Sequence, residues 1–120
     1  MRLYRLMISA ALLCAALAGG SPALAHAIIV ESSPAVDEAV KAPDITLRLR
    51  FNSRIDQERS RLTLSGGGKS WPLAMTVASS PDTLEAKATG LPPGPYTLRW
   101  QVLAVDGHIT RGDIPFRLTP

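Results

Sequence analysis

His26 and His108 are the only two histidines in this chain. His26 directly follows Ala23-Leu24-Ala25, the small-x-small pattern that a leader peptidase cuts. Cleavage after Ala25 makes His26 the first residue, and its α-amine and imidazole then close a chelate ring on one metal ion. No internal histidine can offer that pairing. His108 stands in Asp106-Gly107-His108, where a carboxylate and an imidazole share one turn. His26, Asp106 and His108 together supply three nitrogens and one oxygen, without sulfur. Nitrogen and carboxylate donors in a plane suit Cu(II), which heads the divalent affinity order. Zn(II), preferring a tetrahedral arrangement of similar ligands, is the runner-up.

The donors depend on a leader being present and removed. Arg2 and Arg5 precede an apolar run over residues 6–18, and Gly19-Gly20-Ser21-Pro22 breaks it before the cleavage pattern. That run of about 13 residues falls short of the roughly 20 needed to span a bilayer. Residues 1–25 therefore read as a cleaved secretory signal peptide. Cys14 follows Leu13, where a lipoprotein signal needs a small residue, so it does not read as a lipid anchor. Cys14 is the only cysteine and leaves with the leader, so disulfides and thiolate ligands are both excluded. Loss of Arg2 and Arg5 from 13 basic residues leaves 11 against 10 acidic ones. The basic residues are spread singly among the acids, which argues against a nucleic-acid-binding surface. Residues 26–120 are one domain's worth of chain.

That domain reads as strands. Ile45–Phe51 alternates strictly, with Ile45, Leu47, Leu49 and Phe51 on one face and Thr46, Arg48 and Arg50 on the other. Similar alternation marks residues 61–65, 96–105 and 114–118, and shorter candidates are 27–31, 71–77 and 83–88. Ser33-Pro34, Ser65-Gly66-Gly67-Gly68, Ser79-Ser80-Pro81-Asp82 and Gly90-Leu91-Pro92-Pro93-Gly94 are loops by composition. Seven short strands with regular turn signals predict an all-β, immunoglobulin-like β-sandwich or Greek-key barrel. A helical turn is expected only over residues 35–40. Pro72 and Pro115 are expected at edges or bulges, because neither can donate to a ladder. Asp106-Gly107 predicts a two-residue type I′ hairpin turn. Tyr96, Leu98, Trp100 and Val102 share a core face, and Trp71 is core or rim. Met75, the one methionine left after leader removal, is core filling rather than a Cu(I) ligand. Arg111 and Asp113 are candidates to order the tip by pairing. Glu31 is either a hydrogen-bond partner to a ligand or a solvated strand residue.

The chain resembles the copper resistance protein CopC family of periplasmic copper-binding β-barrels. The resemblance covers nearly all of residues 26–120. It rests on His26-Ala27, Ser32-Ser33-Pro34, Pro43 leading into Leu47-Arg48-Leu49-Arg50-Phe51, and the run from Leu91 to Trp100 on through Val105-Asp106-Gly107-His108 to Gly112 and Phe116. It implies Cu(II) bound by His26, Asp106 and His108, in a periplasmic protein of copper resistance or homeostasis, without turnover. A CopD-like inner-membrane importer is the partner it implies. Some members carry a Met-rich segment for Cu(I), which this sequence lacks. Two other classes compete. One is a copper monooxygenase built on an N-terminal histidine, and the other is a metal-free immunoglobulin-like binding module.

Overall fold

Strict alternation in β3 (Ile45–Phe51) becomes a one-sided strand: its four apolar side chains are buried, Thr46 is exposed and the two arginines are half-buried. The computed structural model describes residues 27–78 and 80–120, so the leader with Cys14, His26 and Ser79 lie outside the described residues. Within them run β1 (Ile29–Ser33), β2 (Ala39–Lys41), β4 (Ile55–Gly66), β5 (Lys69–Pro72), β6 (Met75–Thr76), β7 (Thr83–Ala88), β8 (Gly94–Ala104) and β9 (Ile109–Thr119). They form a four-stranded sheet of order β1-β3-β7-β6 and a five-stranded sheet of order β2-β9-β8-β4-β5. The expected immunoglobulin-like sandwich is what the described residues adopt, with nine strands among them rather than seven. The buried faces of both sheets meet in one core. Phe51 of β3 and Trp100 of β8 cross it edge to face, with ring centroids 5.4 Å apart.

The two extra strands have physical causes. No helical turn forms over residues 35–40, because the backbone groups it needs are taken by β9. Asp37 N donates to Pro115 O at 2.7 Å and Arg117 N donates to Glu38 O at 2.9 Å. Residues 35–38 instead make a β-turn, with Glu38 N donating to Ala35 O at 3.1 Å, and β2 then runs parallel to β9. The expected strand over 71–77 divides at a corner: β5 edges the five-stranded sheet, and β6 joins the other. Met75 packs against the core, as does Trp71.

Both prolines sit where no ladder donor is wanted. Pro72 lies on the outermost strand. Pro115 is paired with Thr97 on one side, and its carbonyl points the other way, to Asp37. Its missing N–H therefore faces the side of β9 that β2, pairing only from Arg117 onward, does not cover.

β4 begins earlier than alternation predicts. Between Asp56 and Arg61 its pairing with β8 is interrupted. There Ser60, 1% exposed, donates its hydroxyl to Asp56 O at 2.6 Å and accepts Leu103 N–H at 3.3 Å. A side chain thus replaces a ladder rung, which polar residues 56–60 conceal from any periodicity.

β8 and β9 carry the tip. Tyr96, Leu98, Trp100 and Val102 are buried on one face of β8, opposite buried Ile114, Phe116 and Leu118 of β9. Tyr96 stacks on Phe116 with centroids 5.9 Å apart, and its hydroxyl donates back to Pro92 O at 2.7 Å. That bond anchors the strand entry in the manner of a tyrosine corner.

Candidate metal centre

The hairpin between β8 and β9 closes on three residues. Gly107 N donates to Ala104 O at 2.9 Å and Ala104 N donates to His108 O at 2.8 Å. The turn therefore centres on Val105 and Asp106, neither with positive φ, and Gly107 follows with φ 90°. This is a type I turn with a glycine bulge rather than the type I′ turn expected from Asp-Gly. Register decides the matter. A two-residue loop would pair Val105 with His108, setting Trp100 opposite Asp113 and Leu98 opposite Pro115. The observed pairing, Leu103 with Ile109 and Trp100 with Gly112, keeps both apolar faces inward.

The turn places Asp106 against His108. Asp106 Oδ1 accepts the His108 backbone N–H at 3.1 Å, and Oδ2 lies 2.9 Å from His108 Nδ1. These two bonds from His108, backbone first, hold the Asp106 carboxyl below its ordinary value. An ionised carboxylate only accepts, so Nδ1 carries the proton and Nε2 the ring's lone pair. A carboxylate bonded to one ring nitrogen fixes the tautomer and aims the other, the usual preparation of a metal-binding histidine. The His108 side chain is 63% exposed and that of Asp106 28%. Among the described residues no group of three or more His, Cys, Asp and Glu is gathered. The pair needs a further donor from elsewhere to make a site.

The start of the described chain lies at the same end of the sandwich. Ala27 is 1% exposed and belongs to the core. Ile28 is clamped to Asn52, its N–H donating to Asn52 Oδ1 at 2.9 Å and its carbonyl accepting Asn52 N–H at 2.9 Å. Directly after the loop that Asn52 opens, Ile55 pairs with Ala104, the base of the tip. His26 itself lies outside the described residues. The residue after it is held where β3 turns toward the hairpin that carries Asp106 and His108.

Other expectations resolve differently. Arg111 and Asp113 do not pair with each other. Asp113 binds Arg99 on β8 at 3.0 Å, and Arg111 donates to Gln101 Oε1 at 2.8 Å. Side chains two apart on a strand lie farther from each other than from their cross-strand neighbours. Glu31 pairs with Arg50 at 3.0 Å, which makes it the solvated strand residue. Asn52 was not legible as the clamp, since nothing local distinguishes it from a loop asparagine.

The model of the CopC domain matches residues 29–119. The chain belongs to the CopC family. It is similar to CopC from Methylosinus trichosporium OB3b, at 27% identity and a TM-score of 0.71, covering 79% of this chain and 95% of that one. It is also similar to PcoC, a methionine rich copper resistance protein from Escherichia coli, at 27% identity and a TM-score of 0.64, covering 79% and 100%. Protein YobA of Escherichia coli strain K12 is 29% identical to this CopC-family chain over 96 residues, 77% of each. Among the described residues no helix is long and apolar enough to cross a membrane.

Proposed function

We propose that this CopC-family chain is a periplasmic Cu(II)-binding protein of copper resistance or homeostasis, exported by a leader that is cut after Ala25. The α-amine and imidazole of His26, the Nε2 of His108 and the Asp106 carboxylate hold the ion. One observation carries the reading: Asp106 and His108 are bonded at 2.9 Å on a hairpin tip at the end of the sandwich where Ala27 is buried. Family membership and the likeness to a copper resistance protein support it. Each carboxylate oxygen has two lone pairs, so Asp106 keeps acceptor capacity for a metal while bonded to His108. Copper is cargo, sequestered or carried toward a CopD-like membrane importer, and the protein performs no turnover on it. With Asp106 as a ligand, a position that oxygen would need in a monooxygenase is filled.

Two changes test the site. Retaining Ala25 ahead of His26 converts the amine to an amide, which should weaken Cu(II) binding by orders of magnitude while the fold is unchanged. Asp106→Asn keeps the turn chemistry and removes the charge, so the Cu(II) electron paramagnetic resonance spectrum should change while the circular dichroism does not. Unaltered affinity in the first or an unaltered spectrum in the second would refute the ligand set. N-terminal sequencing of the exported protein decides the cleavage position.

A further inference from the structure

The outer face of the five-stranded sheet is ordered in rows, each given by the ladder. Nearest the tip, Leu103 is opposite Ile109, with exposed Val105 just beyond; Val105 is 69% and Ile109 54% exposed. The next row places Arg61, Gln101 and Arg111 side by side on β4, β8 and β9. The row after that holds Thr63, Arg99 and Asp113. Alternation puts the strand residues of these rows on one face, with rows roughly 7 Å apart and strands about 4.8 Å apart, and Val105 stands exposed in the turn that joins β8 and β9.

The charge on this face is one-sided. Arg99 is paired with Asp113 at 3.0 Å, whereas among the described residues no carboxylate lies within ion-pair distance of Arg61 or Arg111. On the outer face of the other sheet both arginines are neutralised, Arg48 by Glu85 at 3.1 Å and Arg50 by Glu31 at 3.0 Å, which leaves Lys87 as the cation there without an ion pair among the described residues. Of the four arginines without an ion pair among the described residues, Arg54, Arg61, Arg111 and Arg117, Arg61 and Arg111 thus stand together beside the exposed apolar tip.

We propose that this face is a docking surface for an anionic phospholipid bilayer. A bilayer interface matches both halves of the pattern. Val105 and Ile109 enter the headgroup and acyl boundary, while Arg61 and Arg111, one row behind, take lipid phosphates through their planar guanidinium forks. An acidic protein would satisfy the arginines and leave the apolar row without a reason. The attachment is peripheral and reversible. It stands apart from the metal reading, since none of its residues is a proposed copper ligand.

The test is co-sedimentation of the metal-free exported protein with vesicles. One set holds phosphatidylcholine mixed with phosphatidylglycerol, and the other phosphatidylcholine alone. Binding is expected to the anionic set only, with release by added salt. Arg61→Gln together with Arg111→Gln should weaken it roughly thirtyfold, and Asp113→Asn, which frees Arg99, should tighten it roughly fivefold. Val105→Ser with Ile109→Ser should also weaken it at unchanged net charge. Circular dichroism checks that each variant is folded, and the tightening in Asp113→Asn decides the matter if the double glutamine variant is not. The Arg61→Gln, Arg111→Gln variant should bind copper like the parent, which separates this surface from the copper site. Indifference of the parent to anionic vesicles, or equal binding by the glutamine variant, would overturn the proposal. Capture on a polyglutamate surface without vesicle binding would overturn it in favour of an acidic protein.

Discussion

Gly112→Ala tests how tightly β9 is held to the strand that carries the tip. Gly112 pairs directly with Trp100, and a Cβ added there would lie 2.5, 2.6 and 2.7 Å from Cζ2, Cε2 and Nε1 of the indole. The ring would have to retreat by about an ångström to restore ordinary contact. It has little room to do so, being 8% exposed and meeting the Phe51 ring at 5.4 Å on its core side. Overpacking of this kind costs about 1–3 kcal/mol. The smaller conformational freedom of alanine in the unfolded chain offsets about 0.4–1 kcal/mol of that. A net loss of about 1–2 kcal/mol corresponds to a fall in melting temperature of roughly 5–15 °C for a domain this size. Thermal unfolding followed by circular dichroism measures it. Copper affinity measured well below the transition should change little, because Leu103 and Ile109 still close the ladder beneath the tip. An unchanged or higher melting temperature would refute the packing argument.

Copper retention should fall progressively as pH drops from 8 to about 4, since proton and metal compete for the same nitrogen lone pairs. The bonds from His108 keep the Asp106 carboxyl below its ordinary value, so it remains ionised throughout that span and the nitrogens set the release. Titrating copper-loaded protein while following the Cu(II) resonance checks this, and retention unchanged from pH 8 to about 4 would contradict it. Deleting Val105 should leave Ala104 opposite His108 across a true Asp-Gly loop of two residues, preserving register, β-sheet signature and, within about 5 °C, melting temperature. The same deletion should alter the copper spectrum, because Asp106 leaves the turn position from which it binds His108; loss of the fold would refute the register argument.

Alternation alone delimits β3 and β7, and it identifies the buried residues of β8 correctly, because a strand with one wet face must repeat every two residues. It fails for β2, whose partner Arg117 lies far along the chain from Ala39, and for residues 56–60, where the buried hydroxyl of Ser60 stands in for a ladder rung. Such partners are non-local, and composition carries no trace of them. Of the proposed site, the sequence offers the residue types, and its local signals predict the geometry of the Asp106–His108 pair only in part. Asp106 and His108 do come together, yet through a turn shifted by one residue from the one that Asp-Gly favours. That shift was open to deduction. Tyr96, Leu98, Trp100 and Val102 fix the inward side of β8, and Ile114, Phe116 and Leu118 fix that of β9, so an odd-length loop is the only one that joins them face to face. Burying the three β9 side chains is worth roughly 5–9 kcal/mol, whereas a preference for one turn conformation over another is about 1 kcal/mol. The core therefore chooses the turn. By choosing it, the core sets Asp106 in the middle of the turn rather than at its start, where its two oxygens reach the backbone and ring of His108.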